Sequence, residues 1–169
     1  MTDTAQVIVV MGVSGAGKST IGTALAARMG CVFVEGDALH PAANVEKMRR
    51  GIPLTDQDRQ PWLKALGKRL AEERRAGGAV VCACSALKRA YRDCLRTEAG
   101  TDILFVLLDL SADLLAERMA ARKGHFMPAS LLQSQMATLE RPVPDERALI
   151  IPGDLPPDEI VQRIIRRTG

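Results

Sequence analysis

Apolar residues in this chain follow two rhythms that alternate from one end to the other. Val7-Ile8-Val9-Val10-Met11, Cys31-Val32-Phe33-Val34, Ala79-Val80-Val81-Cys82-Ala83-Cys84, Ile103-Leu104-Phe105-Val106-Leu107-Leu108 and Leu149-Ile150-Ile151 are short unbroken apolar runs, as strands covered on both faces should be. Between them, apolar residues recur three and four positions apart: Ile21, Ala24, Leu25 and Met29; Trp62, Leu63, Leu66 and Leu70; Leu115 and Met119; Ile160, Val161, Ile164 and Ile165. Each set predicts a helix with one face on a sheet. Gly30 stands where the first helix needs a C-terminal cap, Ser111 caps the start of another, and Pro156-Pro157-Asp158-Glu159 opens the last. Strands alternating with helices predict a three-layer α/β/α fold around a five-stranded parallel sheet.

Two stretches break the rhythm. Residues 38–60 are polar and proline-marked, with His40-Pro41, Asn44, Lys47, Arg49-Arg50-Gly51 and Pro53, which suggests a helical insertion that covers a substrate; an ordinary helix-loop-helix surface is the alternative. Thr55 and Asp58 fit the capping-box pattern, and Pro61 predicts a short turn there with the helix restarting near Asp58. Residues 122–140 start with Arg122-Lys123-Gly124-His125-Phe126-Met127-Pro128 and run into a helix over 129–139, a composition that fits a lid. The 169 residues suit one domain, 1–169, carrying both additions.

Composition narrows the partners. The 23 Lys+Arg against 20 Asp+Glu leave a charge of +3, and aromatics make up 3%, too little of either for a nucleic-acid surface. Cysteines 31, 82, 84 and 94 lack zinc-site spacing, and Cys82 and Cys84 alternate along a strand as buried apolar groups would. The N-terminus carries no basic region followed by a long apolar segment, and no apolar run approaches the roughly 20 residues of a membrane span, so a cytoplasmic protein without membrane contact is expected.

The candidate chemistry collects where strands end. Gly12-Val13-Ser14-Gly15-Ala16-Gly17-Lys18-Ser19 fits G-x-x-x-x-G-K-[ST] directly after the first strand and before the first helix, the context a P-loop requires. Its glycines let backbone N–H groups turn inward at a helix N-terminus, so Gly12, Ser14, Gly15, Ala16, Gly17, Lys18, Ser19 and Thr20 are expected to cradle the phosphates of ATP. Lys18 would reach the β and γ phosphates, and the Ser19 hydroxyl would take a place on Mg²⁺. Asp37 follows the second strand at the same edge. Lys88, Tyr91 and Arg92 lie at i, i+3 and i+4 of a helix after the third strand and could hold an anionic substrate; a plain exposed face is the alternative. Arg118 and Arg122 form one i, i+4 row leading into the lid, where arginines could stabilise a transferring phosphoryl group. His125 in that loop is a substrate-binding candidate or only a packing group.

The stretches Met11 to Ser19, Glu35-Gly36-Asp37-Ala38-Leu39-His40-Pro41, Asn44, Glu46-Lys47-Met48, Gly51, Pro53-Leu54, Asp56, Asp58-Arg59, Pro61-Trp62-Leu63, Cys84-Ser85-Ala86-Leu87-Lys88, Tyr91-Arg92 and Arg122-Lys123-Gly124-His125-Phe126 closely resemble the small P-loop gluconokinases of thermoresistant type. The resemblance runs from about residue 7 to residue 145, and G-D-x-x-H-P and C-S-A-L-K are more specific than the P-loop itself. It implies an adenylate-kinase-like fold with a lid, ATP-dependent phosphorylation of D-gluconate to 6-phospho-D-gluconate, Mg²⁺ and commonly a homodimer. It also implies that Lys18, Asp37, Arg118 and Arg122 serve catalysis, that Asp37 and Ser19 serve the metal, and that His40, Arg59, Lys88, Arg92 and His125 join Asp37 around the sugar acid. Where the family reads Asp-Gly-Asp this chain has Glu35-Gly36-Asp37, which makes Asp37 the stronger catalytic candidate and leaves Glu35 open. A kinase for a nucleotide, shikimate or another alcohol is the nearest rival. A nucleotide switch without transfer activity is the other, although no N-K-x-D or D-x-x-G occurs in the chain.

Overall fold

The computed structural model describes residues 6–121 and 129–168. Strands β1 (Val7–Met11), β2 (Val32–Glu35), β3 (Val80–Ala83), β4 (Leu104–Asp109) and β5 (Ala148–Pro152) form one parallel sheet in the order β2-β3-β1-β4-β5. Helices α1 (Lys18–Met29), α2 (Ala42–Arg49), α3 (Asp56–Gly77), α4 (Arg89–Ala99), α5 (Ala112–Ala121), α6 (Ala129–Thr138) and α7 (Pro157–Thr168) connect and cover the strands. All of β1 and β3 is buried, as the unbroken apolar runs require of strands sandwiched between helices. The architecture is the three-layer α/β/α fold with α1 packed beside α7 and α3 beside α4.

The strand order explains where a ligand can bind. The chain leaves β1 for the edge strand β2, returns to pair β3 with β1, then crosses to the opposite side of β1 for β4. Neighbouring connections diverge at β1, which opens a crevice at the carboxyl edge of the sheet. Register aligns that edge: Val10 and Glu35 both pair with Ala83, and Met11 pairs with Leu107.

Local signals in the sequence have clear structural counterparts. The Thr55 hydroxyl accepts from the Asp58 N–H at 3.0 Å while the Asp58 carboxylate accepts from the Thr55 N–H at 2.9 Å, closing the capping box. Lys47 and the Thr55 N–H hold the Asp58 carboxyl down at about 2. The expected break at Pro61 does not occur, because α3 runs unbroken from Asp56 to Gly77. Pro61 lies in the second turn and removes only the hydrogen bond to the Gln57 carbonyl, on an exposed residue that water can reach. Ser111 caps α5, accepting from the Leu114 N–H at 3.2 Å. Cys82 and Cys84 are fully buried, and burial pushes their thiols up, to about 12 for Cys84, so they remain protonated packing groups. Among the described residues no helix is long and apolar enough to cross a membrane.

Candidate active site

The P-loop occupies the turn between β1 and α1. Gly17, the residue before α1, has φ of 93°, a left-handed conformation that glycine adopts without the Cβ penalty. The turn leaves Ser14, Gly15, Gly17, Lys18, Ser19 and Thr20 around one polar hollow, and Asp37 completes its wall. Lys18 Nζ donates to the Val13 carbonyl at 3.0 Å. The Ser19 hydroxyl donates to the Glu35 carboxylate, so the residue at the end of β2 reaches the phosphate loop through its longer stem. Ser19, Glu35 and Asp37 together offer hard oxygen donors, a set that suits Mg²⁺.

Asp37 also borders a second cleft, whose lining includes Lys18, His40, Arg59, Trp62, Ser85 and Gln135. It is therefore the carboxylate common to the phosphate hollow and this cleft. Its backbone is placed by Gly36, where a Cβ would lie 2.4 Å from the Ala83 carbonyl oxygen, so only glycine lets the end of β2 approach β3 this closely. The Gly36 carbonyl in turn accepts from Trp62 Nε1 at 2.8 Å. Trp62 stacks on the His40 ring with centroids 3.9 Å apart. Burial of that imidazole, reinforced by Arg59 and opposed by Asp37, lowers its pKa to about 4 and keeps it neutral at physiological pH.

Arg59 enters the cleft in a fixed pose. One guanidinium nitrogen donates to the Leu54 carbonyl and to the Tyr91 hydroxyl, both at 2.9 Å. Tyr91 donates to Asp56 at 2.5 Å, and Lys88 Nζ meets the same carboxylate at 3.1 Å. Asp56 is held below the usual carboxylate range by Tyr91 first and Lys88 second. Lys88 thus points at Asp56 and belongs to the support of Arg59.

The structure separates Arg92 from the face it was expected to share with Lys88 and Tyr91. Its side chain is fully buried, with Nε and Nη2 on the two Glu146 oxygens at 2.7 and 3.0 Å and Nη1 on the Ala86 carbonyl at 2.9 Å. A guanidinium so engaged, and with no exposed surface, is a structural anchor that a substrate in the cleft does not reach. Arg118 donates to the Ala16 and Gly153 carbonyls at 3.4 and 3.2 Å. It lines a separate, more apolar cavity of about 310 Å³ with Gly17, Thr20, Leu155 and Pro157, within the size range of small-molecule sites. Arg122 and His125 lie outside the described residues.

Several residues in or beside the site make contacts that the sequence does not signal. Gln135 of α6 accepts from the Ser14 N–H at 2.7 Å, which no motif foretells. The Glu35 bond to Ser19 depends on where β2 ends relative to β1, which the sequence pattern does not specify. Asn44 stands in a family-like stretch but only the fold buries it.

A family model described as an AAA domain matches residues 7–142. The chain is 54% identical to a gluconokinase of Gluconobacter oxydans over 159 residues, covering 94% of this chain and 89% of the relative. It is 41% identical to the thermoresistant gluconokinase of Escherichia coli, covering 94% and 91% of the two chains. The crystal structure of a gluconokinase from Sinorhizobium meliloti superposes with a TM-score of 0.87 at 51% identity, over 99% of this chain and 93% of that one.

Proposed function

The chain belongs to the gluconokinase family, and on that premise we propose that it transfers the γ-phosphoryl group of ATP to the 6-hydroxyl of D-gluconate, giving 6-phospho-D-gluconate and ADP. The observation that carries the assignment of roles is the position of Asp37 between the phosphate hollow and the cleft that holds Arg59 and His40.

ATP lies with its phosphates in the hollow of Gly12 to Thr20 and its base in the cavity beside Arg118, Leu155 and Pro157. That cavity shares no lining residue with the cleft of Arg59 and His40, so Arg118 serves the nucleotide rather than the acceptor. Lys18 neutralises the β and γ phosphates. Mg²⁺, when bound, spreads the charge that develops on the phosphate oxygens; Ser19 would hold it, with Glu35 orienting the hydroxyl and Asp37 in the surrounding shell.

Gluconate enters the cleft with its carboxylate on Arg59, whose remaining N–H donors suit a planar anion. Tyr91, Asp56 and Lys88 keep that guanidinium in place. His40 and Ser85 meet the hydroxyl chain, and the stacked Trp62 gives the cleft an apolar wall. The 6-hydroxyl then faces Asp37, which takes its proton as the O6–Pγ bond forms and the bond from Pγ to the β-phosphate oxygen breaks. Arg122 and His125 lie outside the described residues; on the family resemblance the 122–140 segment is assigned as a lid, with Arg122 serving the transferring phosphoryl group and His125 the acceptor, and residues 38–60 are the acceptor-covering insertion. A homodimer belongs to the same reading and rests on the family resemblance, and a cytoplasmic location is part of the same proposal.

Carbon and phosphorus NMR of the product made from uniformly ¹³C-labelled gluconate tests this reading. The phosphorus should couple to C6 and C5. Coupling centred on any other carbon, or no phosphorylated product, overturns it.

A further inference from the structure

Asn44 is 4% exposed and sits on α2. Its amide nitrogen makes two bonds: to the Asp58 carbonyl at 2.9 Å and to His40 Nδ1 at 3.2 Å. A backbone carbonyl can only accept, so Asp58 fixes which end of the Asn44 amide is the NH₂ group. The second amide N–H is then aimed at His40 Nδ1, which has to present a lone pair. A neutral imidazole with a lone pair on Nδ1 carries its proton on Nε2.

We propose that Asn44 is a positioning residue that locks His40 in the Nε2–H tautomer and makes it a fixed hydrogen-bond donor to a hydroxyl oxygen of the acceptor substrate. Three further observations fit. Stacking on Trp62 stops the ring from turning over. His40 lines the acceptor cleft, and no described residue bonds Nε2, which leaves that N–H to a ligand. The ring is held neutral by burial, with Arg59 of α3 favouring the neutral form and Asp37 opposing it, while Asn44 of α2 and Trp62 of α3 add no charge. The donor is therefore present across the whole physiological range. The choice of tautomer has a chemical consequence: a polyol hydroxyl that gives its own proton to a carboxylate still has an oxygen lone pair, and Nε2–H is built to bind it. The substrate side of this inference rests on the proposed acceptor reading, whereas the tautomer does not.

The test uses ¹⁵N-labelled enzyme without ligands. The chain has only two histidines, so His40→Gln identifies the His40 signals by difference. At pH 7 the wild type should show a protonated, pyrrole-type Nε2 and an unprotonated, pyridine-type Nδ1. A proton on Nδ1, or rapid averaging between the two tautomers, overturns the inference. Asn44→Asp reverses the polarity of the contact and should draw the proton to Nδ1. Its KM for gluconate should rise about tenfold at pH 8, the worth of one lost hydrogen bond, while KM for ATP stays within about twofold. That rise should shrink at pH 6, where the acidic neighbour favours an imidazolium that again carries Nε2–H; a gluconate KM independent of pH in this variant contradicts the proposal. Should the wild type ignore gluconate altogether, the assigned reaction fails while the tautomer is still decided by the spectrum.

Discussion

Replacing Asp37 with Asn is expected to lower kcat by about 10²–10⁴-fold, the usual contribution of a positioned proton acceptor. The amide keeps the size and one acceptor oxygen but cannot take the proton of the attacking hydroxyl. Asp37 is exposed at the mouth of the site, so stability should change by no more than about 0.5 kcal/mol. Binding of ATP in the P-loop should persist, because the donors of that loop are backbone amides and Lys18. Steady-state kinetics beside a thermal melt separates these effects. A folded Asp37→Asn enzyme working within tenfold of the wild-type rate would remove Asp37 from the proton-transfer role.

Glu146→Ala should produce the largest loss of stability. Both members of the Arg92–Glu146 pair have side chains without solvent exposure, and the carboxylate also accepts from the Val143 N–H at 3.3 Å and lies 3.5 Å from Arg96. Removing one partner leaves a buried guanidinium uncompensated, which costs about 3–5 kcal/mol. For a chain of this length that corresponds to a Tm lower by about 6–20 °C. Burial works against the Glu146 charge, yet hydrogen bonds and attraction from Arg92 hold its carboxyl below the ordinary value of 4.5. The pair therefore gives its full stability above pH 4.5 and loses it as pH falls through the lowered value, so the acid limb of a stability profile should flatten in the variant. Activity should fall as well, since Arg92 also holds the Ala86 carbonyl, and Ala86 keeps a left-handed φ of 44° between Ser85 and Leu87 of the acceptor cleft. A Glu146→Ala melt within about 2 °C of wild type would show that the pair contributes little.

The parts of this molecule that depend on neighbouring residues were legible in its sequence. The five apolar runs became the five strands, Thr55 and Asp58 became a capping box, and the P-loop pattern became a turn between β1 and α1. Pro61 misleads because its penalty depends on which carbonyl it orphans, and the capping box secures the first turn regardless. Arg92 misleads for a different reason. Helical spacing puts it near Lys88 and Tyr91, but spacing says nothing about Glu146, 54 residues onward, which captures it. The contacts of Gln135 with Ser14 and of Asn44 with His40 and Asp58 likewise join segments that only packing brings together. Arg59 was legible only as one of several candidate cations for a sugar acid, whereas the Tyr91–Asp56–Lys88 support behind it became visible only with α3 against α4.

The central claim is that a phosphate hollow and an aldonate cleft meet at Asp37. It is tested most directly by following ADP release with ATP and Mg²⁺ over D-gluconate, other aldonic acids, shikimate and nucleoside monophosphates. The predicted result is a kcat/KM for D-gluconate that exceeds every other acceptor by at least about tenfold, the discrimination of roughly one well-placed hydrogen bond. Equal or faster release with shikimate or a nucleoside monophosphate would contradict the assignment of the cleft, and ATP binding without release to any acceptor would contradict the transfer itself.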